Sequence, residues 1–224
     1  GSNNVDTNSR TCMASAVVAY KKALGIDYVP VRMNDVHKAN LLILVGANTA
    51  EAHVVLHNRI KSTKKDGLKI IVIDPRFTDT AKYADLYLPI KPGSDIDFFN
   101  LISKRIIDED LIDKEFVENH INNFTLLQNK FKRVPSTKLL KRTGLTKEQF
   151  EEFWQMYKSN ENIITAWTMG INQSVQGVDK NLSIINTHLL TGKIFKEGNG
   201  PYSLTGQPNA MGGREVGGLS TMLA

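Results

Sequence analysis

Cys12 is the only cysteine in the 224 residues, so no internal disulfide framework exists and the thiol is either packing or a chemical tool. Long apolar runs are missing as well. No stretch approaches the roughly 18 residues that a membrane helix needs, so no membrane partner is expected. No secretory leader is visible, which with the lone cysteine points to the reducing cytoplasm. Positive charge is in modest excess, +5, with much of it in residues 130–142 (KFKRVPSTKLLKR). Its one aromatic is Phe131, and a nucleic-acid surface needs a larger basic excess with interleaved aromatics. The segment reads as a solvated helix–loop face, with no nucleic-acid partner.

What is present is enough apolar content, 41%, to bury a full core. Gly1-Ser2 reads as an expression scar, and Ala224 falls inside what reads as an unfinished helix. The expectation is an excised piece of a longer protein.

Cys12 lies in TNSRTCMASAV (7–17). Residues 14–24 carry apolar positions three and four apart and meet Gly25, a helix with its stop signal. A thiol just ahead of a helix feels the positive end of the dipole, which favours the thiolate.

Residues 41–45 (LLILV) form a continuous apolar run, the pattern of a strand buried on both faces. Gly46-Ala47-Asn48-Thr49 and a helix over 50–60 follow. A second unit has a strand at 68–73, the turn Asp74-Pro75-Arg76 and a short helix at 78–83. A third has a strand at 86–90, the turn 91–95 and a helix over 96–107. The repeat predicts a parallel, Rossmann-like α/β sheet flanked by helices. Ligands of such sheets bind beyond the carboxyl ends of the strands, so the three tips, 46–49, 74–76 and 93–95, are candidate contacts for a nucleotide-like ligand. Asp74 suits a ribose hydroxyl and Arg76 a phosphate or a ring. Neither G-x-G-x-x-G nor G-x-x-x-x-G-K-[ST] occurs at the first tip, which disfavours a nicotinamide dehydrogenase.

Helices are expected at 113–120, 125–132 and 146–158. The last starts on a Thr146/Gln149 capping pattern and carries Phe150, Phe153, Trp154 and Tyr157 at helical spacing, a core stripe. A fourth strand is expected at 163–167 and a helix at 179–190. Residues 198–218 are rich in glycine and amides and read as a loop that lines a site or as a linker, not as core. The expected organisation is a cofactor-binding domain over 3–160 and, over 161–224, the start of a second α/β domain with a glycine-rich substrate-funnel loop.

TNSRTCMASAV, LVGANTAEAH (44–53), IDPR (73–76), LPIKPGSD (88–95), MGINQSVQG (169–177) and GPYSLTGQPNAMGGREVGG (200–218) together resemble the molybdopterin oxidoreductases, and among them the assimilatory nitrate reductases. The resemblance spans nearly all the chain outside 108–160. It implies molybdenum held by the dithiolenes of two molybdopterin guanine dinucleotides, with Cys12 as a thiolate ligand, the kind of soft donor that a sulfur-ligated metal takes. Relatives acting on formate commonly place histidine after the ligand residue. Met13 stands there instead, which favours nitrate. The resemblance puts Asn8, Gly46, Ala47, Asn48, Thr49, Glu51, Asp74, Pro75, Arg76, Thr78, Gly93, Ser94, Asp95, Met169 and Gln173 on the cofactor. It puts Met13, Met169, Gln207 and Arg214 near the metal, with Arg214 attracting the anion. It further implies a 4Fe–4S cluster and an electron-donor protein or domain, and the ligands of that cluster are not among these residues. This segment alone is therefore expected to bind cofactor weakly or not at all and not to turn over nitrate. The alternatives are a formate dehydrogenase or other superfamily member, or a non-catalytic α/β binding subunit.

Overall fold

A computed structural model describes residues 9–206 and 210. In chain order its elements are α1 (Ser9–Cys12), α2 (Ala14–Leu24), β1 (Leu41–Val45), α3 (Thr49–Ala52), α4 (Val54–Lys65), β2 (Lys69–Ile73), β3 (Leu86–Leu88), α5 (Asp95–Asp108), α6 (Lys114–His120), α7 (Phe124–Lys132), α8 (Ser136–Thr143), α9 (Lys147–Lys158), β4 (Ile163–Trp167), α10 (Met169–Asn172), α11 (Gly177–Leu190) and β5 (Gly200–Ser203). Short 3-10 turns lie at Met33–Lys38 and Ala81–Tyr83.

The strands form one sheet in the order β3-β2-β1-β4-β5, with every neighbouring pair parallel. The α/β fold class read from the strand–turn–helix repeat is therefore the observed one. All five residues of β1 are buried, as expected for the middle strand of a sheet covered on both faces. The strand's period of two sends them alternately to two cores. Leu41, Ile43 and Val45 join Ile71, Ile163 and Trp167 against α2, α5, α9 and α11. Leu42 and Leu44 join Ile70, Val72 and Ile164 against Leu56 and Ile60 of α4.

The helices between α5 and β4 extend the first core outward, with Leu139 of α8 and the buried stripe of α9 part of it. Thr146 starts α9 with the expected reciprocal cap, accepting from Gln149 N while Gln149 Oε1 accepts from Thr146 N. The stripe Phe150, Phe153, Trp154 and Tyr157 is buried, with Phe98 of α5 set edge-on to Phe150 and Phe153.

Three expectations change. β5 falls inside the stretch read as a loop or linker; it is a buried edge strand paired with β4 alone. An edge tolerates Pro201 because the N–H that proline lacks is not needed on the open side. α8 lies within the segment read as helix and loop, capped by Gly144 at φ 80°. The boundary at 160/161 does not separate two sheets, because β4 hydrogen-bonds directly to β1, so residues 163–203 complete the first sheet.

Candidate functional site at the carboxyl ends of the strands

The chain leaves β1 for β2 on one side, while β4 leads to β5 on the other. The loops after β1 and β4 thus diverge and leave a crevice, the place where open parallel sheets bind ligands. Two glycines make its floor. Gly46 has φ +51°, and a Cβ on it would lie 2.9 Å from the Gly170 Cα; a Cβ on Gly170 would lie 2.7 Å from the Gly46 Cα. Only glycine at both positions lets these loops touch. Gly170 N and Thr168 Oγ1 both donate to Gly46 O, at 3.3 and 2.8 Å.

Above this floor is a cavity of about 480 Å³, within the usual range for small-molecule and cofactor sites. Among its lining residues are Gly46, Asp74, Pro75, Gly93, Asp95 and Gln173 from the expected set, together with Gly170, Ser174, Val175 and Lys180. Three strand tips and the turn after β4 therefore converge. The Asp74 carboxylate accepts from Arg76 N at 2.9 Å, shaping the second tip. Lys180 and Asp95 form a 2.6 Å ion pair, and both residues are buried. Burial strengthens such a pair but leaves either partner costly to strand.

Cys12 ends α1, and Met13 precedes α2. The thiol is half-buried and donates to Met169 Sδ at 3.2 Å. Met169 immediately precedes Gly170 of the crevice floor; neither sulfur residue lines the cavity itself, and both pack partly buried against the core. Among the described residues no group of three histidine, cysteine or acidic side chains could hold a metal ion. The described residues here offer a metal one thiol, that of Cys12.

Other expected residues lie elsewhere. Met13, expected beside the metal, is packed in the core at 2% exposure, because its sulfur accepts from Asn172 Nδ2 at 3.3 Å. Ala47 is buried beneath the first tip. Thr49 Oγ1 is engaged by His57 Nδ1. Thr78 helps close its turn through Ala81 N, and Ser94 Oγ donates to Lys91 O. These side chains support the tips instead of facing the cavity. Asn48 accepts from Thr80 Oγ1, while Glu51 and Arg76 are exposed at the rim. Asn8, Gln207 and Arg214 lie outside the described residues.

The sequence reading missed Lys180 and Asn172. A lysine on an amphipathic helix reads as solvated, and only the fold reveals that Lys180 faces Asp95. Asn172 had one signal, its place inside the motif 169–177.

The chain folds as a doubly wound α/β sheet with a crevice beyond its strand ends. Its residues 1–223 match the family description "Molybdopterin oxidoreductase", and the chain belongs to that family. It is similar to a nitrate reductase of Klebsiella oxytoca, 46% identical over all of this chain and 26% of that protein. A nitrate reductase of Synechocystis sp. is 44% identical over all of this chain and 32% of that protein. Matches extend to a periplasmic nitrate reductase and to F420-dependent formate dehydrogenase alpha subunits. Among solved structures, the acetylene hydratase of Pelobacter acetylenicus superposes with a TM-score of 0.75 at 26% identity, covering 86% of this chain and 26% of that one. The chain thus spans about a quarter to a third of the length of the relatives it matches.

Proposed function

We propose that the parent enzyme reduces nitrate to nitrite at a molybdenum centre carried by two molybdopterin guanine dinucleotides, and that this chain supplies the protein thiolate and much of one nucleotide cradle. The observation that carries the proposal is the Cys12–Met169 sulfur pair beside a glycine-floored crevice, in a chain whose 44–46% identical relatives are nitrate reductases. When bound, the molybdenum–pterin group supplies oxygen-atom transfer.

The chain's own residues act by holding and orienting. Gly46 and Gly170 admit a ligand close to backbone. Asp74, Pro75, Gly93, Asp95 and Gln173 offer polar and small surfaces around the cavity, with Asn48, Glu51 and Arg76 at the rim. Cys12 offers a soft donor, and Arg214 and Gln207 are assigned to the anion's approach. The Lys180–Asp95 pair fixes the start of α11 against that of α5, keeping the crevice walls at a set spacing. The electron donor and a 4Fe–4S cluster belong outside these residues. No helix among the described residues is long and apolar enough to cross a membrane; the cytoplasmic placement rests on the single cysteine.

Purified parent enzyme, assayed with reduced dye against nitrate and against formate, is expected to consume nitrate alone. Turnover of formate instead would favour the formate dehydrogenase reading, which the formate dehydrogenase relatives also support. Absence of molybdenum and guanine from the intact protein would favour a non-catalytic subunit.

A further inference from the structure

The segment that carries Cys12 is tied to the turn after β4 by side-chain contacts, two of which meet at one residue. Asn172 is 4% exposed. Its Oδ1 accepts from the indole Nε1 of Trp167 at 3.3 Å, and its Nδ2 donates to Met13 Sδ at 3.3 Å. Its backbone carbonyl accepts from Ser15 Oγ at 2.7 Å.

The direction of these bonds is set by chemistry. An indole N–H only donates and a thioether only accepts, so the amide can satisfy both neighbours in one orientation alone. Gly177 belongs to the same arrangement: a Cβ there would run into Ser15 Oγ and Asn172 O, so the first turn of α11 comes close enough to enclose the contact.

We propose that Asn172 is the positioning residue for Cys12. It fixes Met13 and Ser15, one and three residues after the thiol, and thereby sets where the Cys12 sulfur stands beside Met169. The inference rests on reading Cys12 as the thiolate ligand, and Asn172 acts through Met13 without touching substrate or metal.

The network supplies its own clean variant and its own control. Trp167 Nε1 is held more tightly by Asn181 Oδ1, at 2.7 Å. Asn172→Leu therefore removes the bond to Met13 while leaving the buried indole N–H satisfied, with the same number and branching of side-chain heavy atoms. Asn181→Leu loses the tighter indole bond and the 2.7 Å bond from Asn181 Nδ2 to Gly177 O, yet does not touch Met13. It loosens the same region by contacts that leave the Asn172–Met13 bond in place.

Because Cys12 is the only thiol in the 224-residue chain, its alkylation by iodoacetamide can be followed without interference. The expected result is an alkylation rate about fivefold higher in Asn172→Leu, the size of losing one neutral hydrogen bond, with circular dichroism unchanged. Asn181→Leu should stay within about twofold of wild type at the same temperature. In a Met13→Leu background, which already lacks the sulfur acceptor, Asn172→Leu should add nothing further. An unchanged rate in Asn172→Leu, an equal rise in Asn181→Leu, or full additivity with Met13→Leu would each overturn the inference. The readout needs no metal. A positive result together with a parent enzyme whose molybdenum lacks a protein sulfur ligand would therefore leave the positioning role standing and remove the ligand reading.

Discussion

The crevice end of the sheet and the helical block α6–α9 bury side chains of opposite kinds. In the block, the buried face of α9 is aromatic, with Phe150, Phe153, Trp154 and Tyr157 stacked at centroid separations of 5.6 to 6.5 Å, while charges stay near the surface. α11, which walls the crevice, buries Lys180, Asn181, Ser183, Thr187 and His188. Each of the five has a partner: Asp95, Trp167, two backbone carbonyls of α11 and Thr165. Apolar packing gives stability with little demand on direction, whereas paired polar groups fix orientation and are costly when one partner is lost. The difference separates a region that holds the protein together from one that aims its groups.

Substitutions should break the two regions in different ways. The largest expected effect is on activity alone. Cys12→Ser in the parent enzyme should reduce nitrate turnover to background, while thermal unfolding of the chain moves by only a few degrees, about 2–4 °C per kcal/mol at this size. Trp154→Ala in the block should do the reverse, costing roughly 3–5 kcal/mol in denaturant unfolding and leaving the Cys12 alkylation rate near wild type. Lys180→Met should cost about 3 kcal/mol, because Asp95 remains buried and unpaired. The double change with Asp95→Asn should recover most of that loss.

A smaller effect separates the regions by pH. Burial pushes the His188 imidazole down from 6.5 to about 3. The unfolded chain then takes up this proton before the folded one does as pH falls. Stability from this group is complete above about pH 6.5 and declines toward pH 3, by about 2 kcal/mol at pH 5. Urea midpoints at pH 7 and 5 should show that decline, and His188→Gln should flatten it. The smallest effect belongs to the block's own polar staple. Arg105 joins Glu109 and Glu151, all about a third exposed, so Glu151→Gln should cost about 0.5–1 kcal/mol in the same measurement.

Legibility followed the same division. The LLILV run, the helix at 14–24 and the aromatic stripe declare themselves because a single element's periodicity determines which face is buried. β5 did not, since Gly200 and Pro201 carry turn signals and become a strand only because an edge beside β4 is open to them. Gly46, Asp74, Gly93 and Asp95 were legible as strand tips. Lys180 and Asn172 were not, because their meaning depends on partners 85 and 159 residues away in the chain, Asp95 and Met13. The resemblance put Met13 near the metal, but its side chain turns inward and its sulfur accepts from Asn172 in the core.

The central claim is that Cys12 is the protein's ligand to molybdenum. Molybdenum K-edge X-ray absorption of the parent enzyme, wild type against Cys12→Ser, tests it directly. The account predicts a sulfur shell smaller by one in the variant at equal molybdenum and guanine content; an unchanged sulfur shell would contradict it.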